Sequence, residues 1–263
     1  MLEVNSLSVA YERRSQKVLN NITFNLSGEK AVIIGPNGSG KTTLLKAVLG
    51  LVHMDSGNVE LFGKGSGITR GEVRVSANLP EIYQLTDLAV GDIVRMYAEL
   101  KGGEPSEALE MILDFGLSPI LHLKLHELST GQKKMLCNIM AVSFSPALVL
   151  LDEPFENVDQ NRRIRFLQKL NELRSDVLVT SHEISLLRRL NGWALYFMMD
   201  GSLWGKFSAS QVERLYLTKG KVKGAIATAE TNLGEFSFTL DRGDAALSSA
   251  TTLSDLMERV RGD

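Results

Sequence analysis

The sequence holds one cysteine in 263 residues, Cys137, which excludes an internal disulfide and makes a reducing compartment the expected setting. Within an apolar helical stretch, that cysteine reads as a small buried hydrophobe. An excess of one charge sign is also missing. A formal net charge of −2 with a pI near 6.1 gives no electrostatic case for nucleic acid or for an anionic membrane. No apolar run reaches the roughly 18 residues that a membrane span requires. The opening MLEVNSLSV alternates and carries Glu3, as a strand does and a secretory leader does not. The expectation is a cytoplasmic chain unless a membrane partner recruits it. There is no internal repeat and no low-complexity segment. The length supports one large domain, or one domain with a small appendage.

What is present organises itself by period. Residues 2–9 and 18–26 alternate apolar and polar, as half-buried antiparallel strands do, while KAVII (30–34) is a continuous apolar run suited to a strand buried on both faces. Further β segments fall near 58–62 and 72–77. Helical spacing runs from Ile93 to Gly116 with a break at GGEP (102–105), and again over about 131–145. A second buried run, ALVLL (147–151), precedes a helix near 159–174, a strand at 177–180, a helix from Glu183 and a hairpin turned at Asp200-Gly201. Strand–loop–helix units with buried strands imply a mostly parallel sheet. With the glycine-rich loop GPNGSGKT (35–42) following the first buried strand, the fold class is α/β of the P-loop type, with an antiparallel β lobe, a short helical subdomain at about 81–130 and a small C-terminal α+β appendage. The boundary is expected between 216 and 217, where KGKVKG (219–224) reads as a linker. Beyond it Phe236, Phe238 and Leu240 alternate, and Leu253, Leu256, Met257 and Val260 fall at helical spacing. The appendage is expected to pack on the main domain or on that of a second copy.

Two stretches carry chemistry. GPNGSGKT, from Gly35 through Pro36, Asn37, Gly38, Ser39, Gly40 and Lys41 to Thr42, fits G-x-x-x-x-G-K-S/T between a buried strand and a helix that continues with Thr43. Its glycines let backbone N–H groups face phosphate oxygens, Lys41 brings charge to the β- and γ-phosphates, and the Thr42 hydroxyl suits Mg²⁺. This is a nucleoside-triphosphate site. LVLLDEP (148–154) ends a buried strand in two carboxylates, Asp152 for Mg²⁺ and Glu153 to orient an attacking water, and such a strand end belongs in the crevice beside the phosphate loop.

Between these stretches lies LSTGQ (128–132), whose Ser, Thr and Gly at a helix start leave backbone N–H groups to face an anion. With it in place, residues 1 to about 207 resemble the ATP-binding subunits of ABC transporters. LSTGQ looks like the family signature LSGGQ, with Thr130 in place of the middle glycine. The resemblance implies that Ser129, Thr130, Gly131 and Gln132 serve the ATP held by a second copy or a related subunit, stacked head to tail. It also implies adenine stacking by Tyr11, a switch role for His182 at the γ-phosphate, and a D-loop role for Asp159, although Glu156-Asn157-Val158 departs from the family's Ser-Ala-Leu. Where the family usually has a glutamine reaching Mg²⁺ and water, this chain offers Glu81, with Gln84 as competitor.

The resemblance implies an ATPase with ATP and Mg²⁺, driving a separate integral-membrane permease and lying peripherally on the inner face of the cell membrane. The permease is expected beside residues 81–100, where Ile82, Tyr83, Met96 and Tyr97 serve either as its contact or as local core. Glu81 and the lack of a large C-terminal regulatory domain point to export. The alternative is a soluble mechanical ATPase of ABC type acting in translation or DNA repair, but those usually carry two ATPase domains or a long coiled-coil insert. A kinase or GTPase fails on LSTGQ and His182, and no guanine-reading N-K-x-D stretch is present. No nucleic-acid partner is expected.

Overall fold

The computed structural model describes residues 1–10, 17–65, 71–83 and 87–261. In chain order its strands are β1 (Leu2–Val9), β2 (Leu19–Leu26), β3 (Lys30–Ile34), β4 (Ser56–Leu61), β5 (Val75–Ala77), β6 (Leu148–Asp152), β7 (Asp176–Ser181), β8 (Ala194–Met199), β9 (Ser202–Ser208), β10 (Leu215–Lys219), β11 (Ala227–Thr231), β12 (Gly234–Leu240) and β13 (Ala245–Ala246). Its helices are α1 (Lys41–Val48), α2 (Pro80–Tyr83), α3 (Val90–Lys101), α4 (Pro105–Asp114), α5 (Thr130–Val142), α6 (Gln160–Glu172) and α7 (Leu253–Arg261). The chain forms two compact units, Met1–Arg70 with Thr180–Asp263, and Gly71–Val179.

In the first unit, β1 pairs antiparallel with both β2 and β4, giving the antiparallel lobe. Ile22, Phe24 and Leu26 of β2 point inward while Thr23 and Asn25 face solvent, as the alternation requires. β3 is buried from Ala31 to Ile34 and pairs in parallel with β8. β8 returns as β9 through Asp200-Gly201. Gly201 has φ 73°, and a Cβ there would meet the Val18 carbonyl oxygen at 2.4 Å, so this turn needs glycine.

Strands β11, β12, β10 and β13 form a four-stranded antiparallel sheet, in that order, beside α7. Phe238 of β12 stacks on Phe197 of β8 with centroids 4.6 Å apart and rings inclined by 11°. Phe207 adds a third ring at 5.5 Å from Phe238. The expected boundary at 216/217 falls inside β10, which pairs with β12 from Leu215 to Lys219. Alternation decides this: Leu215 and Leu217 are fully buried while Tyr216 and Thr218 are not, and the ladder runs on into the Lys/Gly-rich stretch. The helix expected from Glu183 is a short 3₁₀ segment, Ile184–Arg189.

In the second unit, β5, β6 and β7 lie side by side, β5 parallel to β6. β5 has three residues, not the six expected over 72–77. Lys101 Nζ donates to the carbonyls of Val73 and Val75 at 2.7 and 2.6 Å, while the Arg74 carbonyl between them accepts from the N–H groups of Ala147 and Leu148 at 2.8 and 3.2 Å. Helix α3 stops at Gly102, which takes φ 68° as its C-cap, and α4 starts with Pro105 in its first turn, the break that GGEP predicts. Phe166 of α6 packs edge-on to Phe115 and Phe155. Cys137 is buried in α5, and burial pushes its thiol up to about 12, so it packs as a hydrophobe and is no nucleophile. Among the described residues no helix is long and apolar enough to cross a membrane.

Candidate active site

In the first unit, the chain between β3 and α1 folds into a loop held on all sides. Gly35 N–H donates to the Ser181 carbonyl at 3.0 Å, Ser39 N–H to Pro36 at 3.2 Å, and Gly201 N–H to Ser39 at 3.1 Å. Gly38 and Gly40 take φ values of 80° and 104°. A Cβ on Gly35 would sit 2.2 Å from the Met198 carbonyl oxygen, and one on Gly40 would meet Leu19 Cδ2 at 2.8 Å. The loop is thus a cradle whose back wall has no room for side chains. Lys41 is 5% exposed, and its Nζ donates to the carbonyls of Gly35 at 2.7 Å and Pro36 at 3.0 Å, fixing a positive charge within the loop. Helix α1 starts at Lys41 with Gly40 as N-cap and no side-chain cap, so its first amides and dipole favour an anion. Asn37 and Thr42 are exposed and Thr43 is buried. Ser39 Oγ is buried with no hydrogen-bond partner among the described residues. A buried hydroxyl in the loop that holds Lys41 and leads into the start of α1 fits a phosphate-bearing ligand. His182 follows β7, half-buried, directly after the Ser181 that receives the Gly35 bond.

In the second unit, β6 delivers Asp152 at its end, and Glu153 follows with φ 44°, a left-handed conformation uncommon outside glycine. Two buried asparagines that sequence reasoning missed hold this end. Asn78 accepts from Asp152 N–H at 2.7 Å, and its Nδ2 donates to the Asp152 carbonyl at 3.1 Å and to Asn138 Oδ1 at 2.7 Å. Asn138 Nδ2 donates to the Pro154 carbonyl at 2.6 Å, and Lys134 Nζ reaches the Asp152 carbonyl at 3.1 Å. Asn138 and Lys134 lie on α5, the helix that begins with the signature stretch. A local signal did exist: Asn138 is the polar residue inside MLCNIMAV, which is otherwise apolar. Asn138→Ala is expected to take one of the two acceptors from Asn78 Nδ2 and to remove the Asn138 donor from the Pro154 carbonyl. It should lower stability by about 1–3 kcal/mol and slow hydrolysis while leaving ATP affinity within about twofold. A melting curve and paired binding and rate measurements check this.

Ser129 is the N-cap of α5. Its Oγ accepts from Gln132 N–H at 3.3 Å, while Gln132 Oε1 accepts from Ser129 N–H at 2.9 Å, forming a capping box. The amide at Gln132 that the sequence left to an anion is therefore met by Ser129 itself, because a serine at an N-cap is the nearest acceptor. Gly131 has a steric reason: a Cβ there would sit 2.5 Å from the Asn157 carbonyl oxygen, so the signature backbone passes close to the loop after the acid pair. Asp159 caps α6 by accepting from Arg162 N–H at 3.0 Å, a bond that holds its carboxyl below the ordinary carboxylate range. Glu81 is exposed on α2. That short helix is fixed by local core: Tyr83 donates to the Ala77 carbonyl and Tyr97 to the Ile82 carbonyl, both at 2.7 Å, with the rings 4.8 Å apart. The two tyrosines take the second of the roles expected of them. Tyr11 and Gln84 lie outside the described residues. The phosphate loop and His182 belong to the first unit, and Glu81, the signature and the acid pair to the second.

A phosphate cradle after a buried strand, a strand ending in two carboxylates and a capped signature helix define a P-loop nucleoside triphosphatase of ABC type. A family model described as ABC transporter matches residues 19–156. A zinc import ATP-binding protein of Roseobacter denitrificans is 32% identical over 193 residues, 71% of each chain. A molybdate/tungstate import ATP-binding protein of Thermococcus kodakarensis is 31% identical over 175 residues, 64% of this chain and 52% of that protein. A solved structure provisionally named a cobalt transport ATP-binding protein superposes with a TM-score of 0.89 at 32% identity, covering 100% of this chain and 99% of that one. The chain belongs to the ABC transporter family, as an ATP-binding subunit that hydrolyses ATP.

Proposed function

We propose that this subunit powers uptake of a metal ion or metal oxyanion through a separate integral-membrane permease. The observation that carries the reading is the similarity over the full chain, C-terminal module included, to the protein provisionally named for cobalt transport. The direction follows the relatives named for zinc and for molybdate/tungstate, both of which are named as import subunits. Import thus replaces the export first expected from Glu81 and from the lack of a large C-terminal regulatory domain.

The residue roles follow the site as described. Residues 35–43 embrace the phosphates, with Lys41 supplying charge and Tyr11 stacking on adenine. Thr42, Asp152 and Glu81 are hard oxygen donors suited to Mg²⁺, which when bound neutralises developing phosphate charge. Among the described residues no three His, Cys, Asp or Glu side chains cluster to hold a metal by themselves. A Mg²⁺ site made of one or two carboxylates plus substrate phosphates requires no such cluster. Glu153 orients the attacking water, His182 meets the γ-phosphate, and Asp159 and residues 129–132 serve the interface with a second copy or a related subunit. Residues 81–130 form the helical subdomain and the chain from β10 onward the appendage, with the protein peripheral on the inner membrane face through its permease.

The reading is tested by capturing the permease from solubilised membranes and reconstituting the complex in vesicles with ATP on the side of this subunit. Zinc, cobalt or molybdate is expected to move toward the compartment that holds the ATPase. Movement away from it would overturn import, and recovery of no membrane protein would overturn the transporter role of this chain.

A further inference from the structure

His182 is held from both sides by backbone contacts, and the second of these comes from the C-terminal module. Ahead of it, the Ser181 carbonyl accepts from Gly35 of the phosphate loop at 3.0 Å, and Ser181 Oγ accepts from Glu183 N–H at 3.1 Å. Behind it, Ile184 N–H donates to the Thr251 carbonyl at 2.8 Å, and Glu183 pairs with Thr252 in an isolated antiparallel bridge. Farther along, Arg188 Nη2 donates to the Ser248 carbonyl at 3.1 Å while its Nε donates to Glu213 at 2.9 Å.

The segment that receives these bonds is itself fixed. Thr252 and Asp255 exchange two hydrogen bonds, each 3.2 Å, at the start of α7, and Arg259 Nη1 donates to the Ser249 carbonyl at 2.7 Å. Phe238, stacked on Phe197, fastens the module to β8, whose neighbour β3 leads into the phosphate loop. Yet the contact is not flush. A cleft of about 190 Å³ opens between Ile184, Ser185 and Arg188 on one side and residues 248–251 on the other. Directed bonds to Thr251, Thr252 and Ser248 thus flank this cleft and hold the histidine segment.

We propose that residues 248–252 are a strap by which the C-terminal module sets the position of His182, and with it the rate of ATP hydrolysis. The inference rests on the γ-phosphate role proposed above for His182. Only His182 and Glu183 separate the residue tied to the phosphate loop from the residue tied to the strap. Release of the strap frees the backbone torsions nearest the imidazole, and a displacement of about 1 Å at a reacting group can cost up to about 10²-fold in rate. Ile184 and Arg188 act here as positioning residues.

Ile184→Pro tests this, because it removes the N–H that meets Thr251. Glu183 is extended, with φ −89° and ψ 110°, as a residue before proline must be, and Ile184 opens the 3₁₀ segment, where proline's φ is accommodated. Ile184→Ala loses the same side chain but keeps the N–H, so the two variants isolate one hydrogen bond. Single-turnover hydrolysis by full-length protein in excess, binding of a fluorescent ATP analogue and hydrogen exchange over residues 176–190 are measured for both. The proline variant is expected to hydrolyse about tenfold more slowly than the alanine variant, with analogue affinity within about twofold, and to exchange faster around 182–185. Equal rates for the two variants would overturn the strap. His182→Ala runs alongside: full activity there removes the histidine role and the strap with it, whereas a slow His182→Ala with equal proline and alanine rates removes the strap alone. If Ile184→Pro does not fold, Arg188→Met decides. A rate about threefold lower at unchanged analogue affinity supports the strap, and an unchanged rate overturns it.

Discussion

Glu153→Gln is expected to bind ATP and to hydrolyse it at least about 10²-fold more slowly than the native chain. The carboxylate is half-buried at the end of β6, in a left-handed backbone conformation that fixes where the side chain starts. Glutamine keeps the size and one carbonyl oxygen but cannot take a proton from water. Bound ATP then persists. If Ser129 of a second copy meets its γ-phosphate, the pair it completes persists too, and ADP, which has no γ-phosphate, does not hold it. Light scattering on a sizing column should show a dimer with ATP and a monomer with ADP. Adding Ser129→Arg should restore the monomer by filling the γ-phosphate contact. Persistence as a monomer at saturating ATP would count against the shared site.

Lys41→Ala is expected to weaken ATP binding by roughly 10²-fold, the worth of one or two charge-assisted hydrogen bonds to phosphate. The domain should stay folded. Lys41 carries charge and not apolar volume, and its Nζ donates to the carbonyls of Gly35 and Pro36 in its own loop. The loop is pinned elsewhere through Gly35, Ser39 and Gly201. Nucleotide titration beside a melting curve decides the matter, and native affinity in a folded variant would remove Lys41 from the phosphate site.

The parts legible in the sequence are those whose cause is local. KAVII is buried from Ala31 to Ile34 because those four residues are apolar, and the glycines of GPNGSGKT supply the positive φ values that the following loop takes at Gly38 and Gly40. Asp200-Gly201 makes its hairpin, and Phe236 and Phe238 with the α7 stripe make the core of the module. The parts that were not legible depend on distant partners. Asn78 and Asn138 stand 60 residues apart, and neither shows locally that it will meet the other. The bond from the Lys101 ammonium to the Val73 carbonyl is likewise invisible locally, because 28 residues separate the two. The 216/217 boundary was misplaced because lysine and glycine signal a linker, while Leu215 and Leu217 had already committed the chain to pairing with β12. The capping box at Ser129 was within reach, since Ser and Gln stand three apart, but the same residues serve a family signature and the plainer role was passed over.

The Asn78–Asn138 bond has a mechanical consequence. Through it the end of β6, with both carboxylates, is tied to α5, whose first turn carries Ser129. Neither can shift without dragging the other. On the roles proposed here, the acid pair attends this chain's own nucleotide and the signature attends its neighbour's. One stiff lever then touches two fuels at once, and a change at either tip is felt at the other with no moving joint between them.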